Sequence, residues 1–223
     1  MSKYKNAKEM LESELPRSVT SHLYPIFNRG IAAYNSILNM EGGTFQSVFL
    51  HNIKGPLLNY MIFRQFEPDM LNDTFPFTPF PQKVNSFNYS ALNLLHNNVK
   101  INVGKSLNSD LPNRSKYRRT ACEVNRFPDD DLFYGTSGQY DQLFENNEPY
   151  YVFLTFNLKG TELDFVNLVV PNWNMTKCLA QVELKKELRL YIPSEEEKKT
   201  DEKVVTSLKT EFMKLPIKGE AIE

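Results

Sequence analysis

Cysteine is almost missing: the 223 residues hold two, Cys122 and Cys178, 56 positions apart. Two thiols cannot form the disulfide framework of a small secreted fold, so packing must hold this chain together, and both are expected reduced. Histidine is as scarce. His22, His51 and His96 lie in separate segments, with no ligand spacing to either cysteine, which argues against a zinc site. Only 9 glycines occur, too few for collagenous or propeller-like architecture. Gly104-Lys105-Ser106 lacks the glycine that a phosphate loop needs five positions earlier; Val99 stands there, inside a strand pattern. Gly135-Thr136-Ser137-Gly138 is one residue short of a nucleophile elbow, and no histidine follows it to act as base.

Charge of one sign is also lacking. A net charge of −1 supplies no whole-molecule field toward nucleic acid or acidic lipid, so such binding would need a local patch. No run approaches the ~18 apolar residues that would span a bilayer. The start, Met1-Ser2-Lys3-Tyr4-Lys5-Asn6, leads into a charged helix and not into a signal-peptide core. These features predict a cytoplasmic protein with no membrane association. Asn-x-Ser/Thr triplets at Asn72, Asn88, Asn113 and Asn174 are then compositional accidents.

Aromatic and aliphatic residues are plentiful: 41% of the chain is apolar and 16 residues are phenylalanine, enough for a Phe-rich core. Leu23, Ile26, Phe27, Ile31, Tyr34, Ile37 and Leu38 recur at three- and four-residue steps, the stripe of a one-face-buried helix. A second helix should carry Phe45, Val48, Phe49, Ile53, Leu57, Leu58, Met61, Ile62 and Phe66, kinked or broken at Gly55-Pro56. Together they predict a helical hairpin. Phe75-Pro76-Phe77-Thr78-Pro79-Phe80-Pro81 forbids helix and must be extended. Its rings either seal the core or form an adhesive strip, which makes Phe75, Phe77 and Phe80 candidates for partner binding.

Val99–Val103 alternates apolar and polar, and the segment from Phe87 to Leu95 can pair with it across His96-Asn97-Asn98. A short basic helix follows from Ser115 to about Asn125, then an acidic loop-like stretch from Phe127 to Glu148. Tyr150–Leu158, Leu163–Val170 and Leu179–Leu184 read as a three-stranded antiparallel meander. The fold class is therefore α+β: an N-terminal helical hairpin packed on a mainly antiparallel sheet, with a C-terminal helix. One domain is expected over 1–193, helical to about 66 and sheet from about 84, with a charged helix or tail over 194–223.

Two constellations suggest chemistry. Asp164 on one strand with Glu183 and Lys185 on the next matches the pattern of metal-dependent nucleases, in which two carboxylates hold Mg²⁺ and the lysine stabilises developing charge. With the turn near Asn174, Asp164 should face roughly Lys185; opposite charges on a solvent face would look the same. No metal is expected unless Asp164 and Glu183 hold one, and no other cofactor is implied. Arg114, Lys116, Tyr117, Arg118, Arg119 and Arg126 concentrate positive charge beside an aromatic, and Lys100 and Lys105 can add to it, a pattern suited to phosphate contacts. Asp129-Asp130-Asp131 is the obvious internal counterweight.

Missing catalytic signatures favour a non-enzymatic binding or regulatory module acting through a protein or nucleic-acid surface. The Asn- and Phe-rich, Cys-poor composition suits a bacterial or phage accessory protein. A Mg²⁺-dependent nuclease and a small-molecule or peptide binder with an aromatic pocket are the alternatives.

Overall fold

The computed structural model describes residues 3–40, 47, 52–84, 90–130 and 148–184. The proposed C-terminal helix, Lys185 and Asp131 lie outside the described residues.

Helix α1 (Ala7–Glu14) starts where its sequence supplies caps: the Asn6 side chain accepts from Glu9 N, and Asp130 Oδ2 accepts from Ala7 N at 2.8 Å. After a single turn, α2 (Arg17–Thr20), comes α3 (Leu23–Met40), whose buried residues include Leu23, Ile26, Phe27, Ile31, Tyr34 and Ile37. That is the stripe read from the sequence. Pro25 falls in the first turn, where its missing amide costs nothing. Helix α4 spans Lys54–Arg64, so Gly55 and Pro56 fall in its first turn, where a missing amide costs little, and the stretch proposed to precede it around Phe45, Val48 and Phe49 lies outside the described residues. Arg64 closes that element with a bidentate grip on Asp69, at 2.7 and 2.6 Å.

Six strands follow in chain order across one sheet: β1 (Thr78–Lys83), β2 (Ser90–His96), β3 (Val99–Lys105), β4 (Tyr150–Lys159), β5 (Glu162–Pro171) and β6 (Cys178–Glu183). All neighbours are antiparallel except β3 and β4, which run parallel. A parallel pair needs a long crossover, and residues 106–149 supply it, carrying α5 (Lys116–Cys122). The fold is α+β with a mostly antiparallel sheet, as the alternation implied. Asn97, at φ 47°, and Gly160, at φ 67°, make the tight returns between β2 and β3 and between β4 and β5.

Both sheet faces are covered. Val99, Ile101, Val103, Val152, Leu154, Phe156, Val166 and Leu168 form the main core with α1, α3 and α4. On the opposite face Tyr151, Phe153 and Val169 pack with Cys122 of α5 and with Met175. Burial pushes the Cys122 thiol up to about 12, so it is an inert core group. Neither cysteine is paired.

Glu14 is a charge inside this frame, 4% exposed, held by Lys3 Nζ at 2.8 Å and by the Tyr4 hydroxyl. Burial opposes its ionisation, but the hydrogen bonds from Lys3 and Tyr4 outweigh it and hold the carboxyl below its ordinary 4.5. A depressed carboxyl stabilises the fold above its unfolded pKa, and that contribution is lost as pH falls through the lower folded value. Glu14→Gln should therefore cost about 1 kcal/mol at pH 7 and remove part of the acid dependence below pH 4.5. Urea unfolding of both proteins at several pH values checks this; parallel profiles would refute it.

Candidate functional site

The short helix α5 carries most of the basic residues singled out above, and the sheet sorts them. Ser115 caps the helix, accepting from Arg118 N at 3.3 Å. Arg118 then lies down on the sheet, its guanidinium 5.7 Å from the Phe153 ring centroid and its Nη1 donating to Asn113 O at 2.8 Å. Gly104 makes room for it: a Cβ there would stand 3.0 Å from Arg118 Nη2. Arg126 stacks 4.7 Å over Trp173. Arg114 donates from Nε to Met175 O at 2.8 Å, clamping the turn between β5 and β6. These three arginines tie the crossover to the sheet.

Lys116 and Arg119 are different. Both are exposed, one turn apart on α5, and no ion pair engages either among the described residues. Asp129 and Asp130, expected to neutralise them, are occupied elsewhere: Asp130 caps Ala7 N, and Asp129 Oδ2 accepts from Asn6 Nδ2 at 3.4 Å. A carboxylate gains more from the unpaired amides of a helix start than from a solvated surface cation.

Tyr117 turns toward β1, where a polar ladder crosses the sheet. Asn102 donates to Asn93 at 3.0 Å, and Asn93 donates to Gln82 Oε1 at 3.2 Å. The same Gln82 oxygen accepts from Lys100 Nζ at 2.7 Å and from Tyr117 Oη at 2.9 Å. Lys100 is half-buried, 5.7 Å from the Phe80 centroid and 6.0 Å from that of Tyr151. Burial lowers its pKa, and Glu148 acts in the opposite sense. The Tyr151 hydroxyl is pushed well up, by burial first and by neighbouring Tyr117 next. Sequence reasoning placed Lys100 near the basic helix and missed Gln82, Asn93, Asn102 and Tyr151. Their signal was the polar half of each strand's alternation, which reads as solvent-facing until a helix is known to cover it.

The phenylalanine strip divides between the faces. Phe77 is 4% exposed in the main core, with its ring 5.4 Å from Phe75 and 5.3 Å from His96. Phe75 leans on Phe66. Phe80 lies on the other face beside Lys100. Pro79 and Pro81 suit this edge strand, where a missing amide blunts the open side.

Of the nuclease pattern, Asp164 lies on β5 and Glu183 on the neighbouring β6, while Lys185 lies outside the described residues. Glu183 pairs with Asn167, three positions along β5 from Asp164. Asp164 is itself the extra residue of a bulge, since Asn157 faces Phe165 while Leu158 faces Leu163. No group of three or more His, Cys, Asp or Glu suited to a metal occurs among the described residues. No helix among them is long and apolar enough to cross a membrane. Set against known proteins, the chain matches no family model, no curated protein and no solved structure.

Proposed function

We propose that the chain is a cytoplasmic, non-enzymatic binding module that holds the phosphate backbone of a nucleic acid against the exposed face of α5. One observation carries this reading. Lys116 and Arg119 project into solvent with no ion pair to either among the described residues, while Asp129 and Asp130, the expected counterweight, are spent on α1. Two cations a turn apart match the spacing of phosphates along a strand, and Arg114, exposed just before the helix, extends the row. Arg118, on the same helix, lies against the Phe153 ring instead of joining the row. The contact is electrostatic and sequence-tolerant, because Arg114, Lys116 and Arg119 form a row of separate charges and not a planar donor pair dedicated to a base edge. Two free thiols fit a reducing compartment.

Binding to a labelled oligonucleotide, followed by anisotropy over a range of salt, tests the reading. The double variant Lys116→Glu, Arg119→Glu should weaken binding about tenfold or more and lower the salt slope by about 2. An unchanged slope and affinity would end the proposal. Arg118→Glu is a poor probe, because it also removes the packing on Phe153.

A further inference from the structure

We infer that Lys100, Gln82, Tyr117 and Phe80 form a binding site for a small ligand that carries a carboxylate or phosphate on a planar ring. The site lies on the α5 side of the sheet and is independent of the nucleic-acid reading, since it uses neither Lys116 nor Arg119.

Donors outnumber acceptors here. Gln82 Oε1 offers two lone pairs, yet Asn93 Nδ2, Lys100 Nζ and Tyr117 Oη all donate to it. Lys100 has three N–H groups, and Gln82 is their one hydrogen-bond partner among the described residues. No carboxylate touches this ammonium among those residues; Glu148 acts on it only at longer range. A half-buried cation without a contacting anion is costly, and the rings of Phe80 and Tyr151 offset only part of that cost. An oxyanion placed at Lys100 Nζ accepts the unused N–H groups and frees Gln82 of its third donor. A planar body attached to it meets Phe80, which is half-exposed and so has ring surface to offer. Donors at one end and an aromatic wall at the other are the two parts of a small-molecule site.

Pyridoxal 5′-phosphate is a suitable probe, with an oxyanion, a planar ring and an aldehyde. The lysine nitrogen adds to the aldehyde carbon, water leaves to give an imine, and borohydride reduces the imine to a stable amine that peptide mass spectrometry locates. On the full chain, Lys100 should be labelled faster than exposed Lys105 or Lys116, because the site holds the probe's oxyanion beside its amine and a lowered pKa leaves more free base. Benzoate should protect Lys100 at lower concentration than inorganic phosphate does, and Phe80→Ala should weaken benzoate protection about fivefold. Labelling of Lys100 no faster than that of Lys105 and Lys116 overturns the site. Equal protection by the two anions, with no effect of Phe80→Ala in a variant whose circular dichroism is unchanged, overturns the aromatic half of the proposal.

Discussion

Replacing Asn125 with alanine is expected to destabilise the protein by about 3–4 kcal/mol, a large loss for one uncharged polar side chain. The side chain is 1% exposed and fully used. Its Nδ2 donates to Tyr151 O at 2.6 Å and to Pro171 O at 2.9 Å, and its Oδ1 accepts from Tyr151 N at 2.9 Å. Continuing the pairing of Phe153 with Val169 by two residues brings Tyr151 opposite Pro171. Proline has no amide to give, so the ladder cannot close there, and the Asn125 carboxamide takes its place between the strands. Alanine would leave three buried backbone groups without partners, each costing about 1–3 kcal/mol before relaxation. Asn125→Asp should be at least as harmful at pH 7, since a carboxylate would face two carbonyls. Its penalty should shrink as acid restores a donor. Urea denaturation measures both; a loss below about 1 kcal/mol for the alanine variant would contradict the bridging role.

Gly30→Val is expected to cost about 3 kcal/mol, and Gly30→Ala about 1–2 kcal/mol. Gly30 is buried on α3 where α4 crosses it. A Cβ at this position would lie 2.9 Å from Ile62 Cα, 3.0 Å from Ile62 Cγ1 and 3.2 Å from Met61 O. Two of those three atoms are backbone, so relief requires moving one helix against the other and not merely turning a side chain. Alanine would ordinarily gain about 1 kcal/mol over glycine inside a helix. The sign of the measured change is therefore decisive: stabilisation by Gly30→Ala would mean that the helices do not approach so closely. At Gly55, by contrast, nothing lies within 4 Å of where a Cβ would stand, so alanine there should not be penalised by contact.

Much of the scaffold could be read directly from residue order. The stripe from Leu23 to Ile37 named the buried face of α3, and Tyr150–Leu158 announced a strand apolar on both sides, which is what a central position with helices on both faces requires. The returns at His96–Asn98 and near Asn174 fell where short polar turns interrupt apolar runs. The candidate sites were less legible. The residues around α5 shared one label, and only the sheet separated Arg118 and Arg126, which brace the fold, from Lys116 and Arg119, which face water, with Arg114 both exposed and bonded to Met175 O. Phe75, Phe77 and Phe80 likewise looked alike until the strand's two-residue period sent Phe80 to the opposite face from Phe77.

Element type follows from the sequence alone because periodicity and turn chemistry are local: a few neighbouring residues decide whether a side chain faces in or out. Partnership is not local. That β3 lies parallel to β4 across the long crossover, that Gly30 meets Ile62, and that Lys100, Gln82 and Tyr117 share one oxygen all depend on segments distant in the chain. Asn125 and Pro171, whose missing amide it replaces, stand 46 residues apart. Such contacts are selected by the packing of the whole core, which no short window of residues contains.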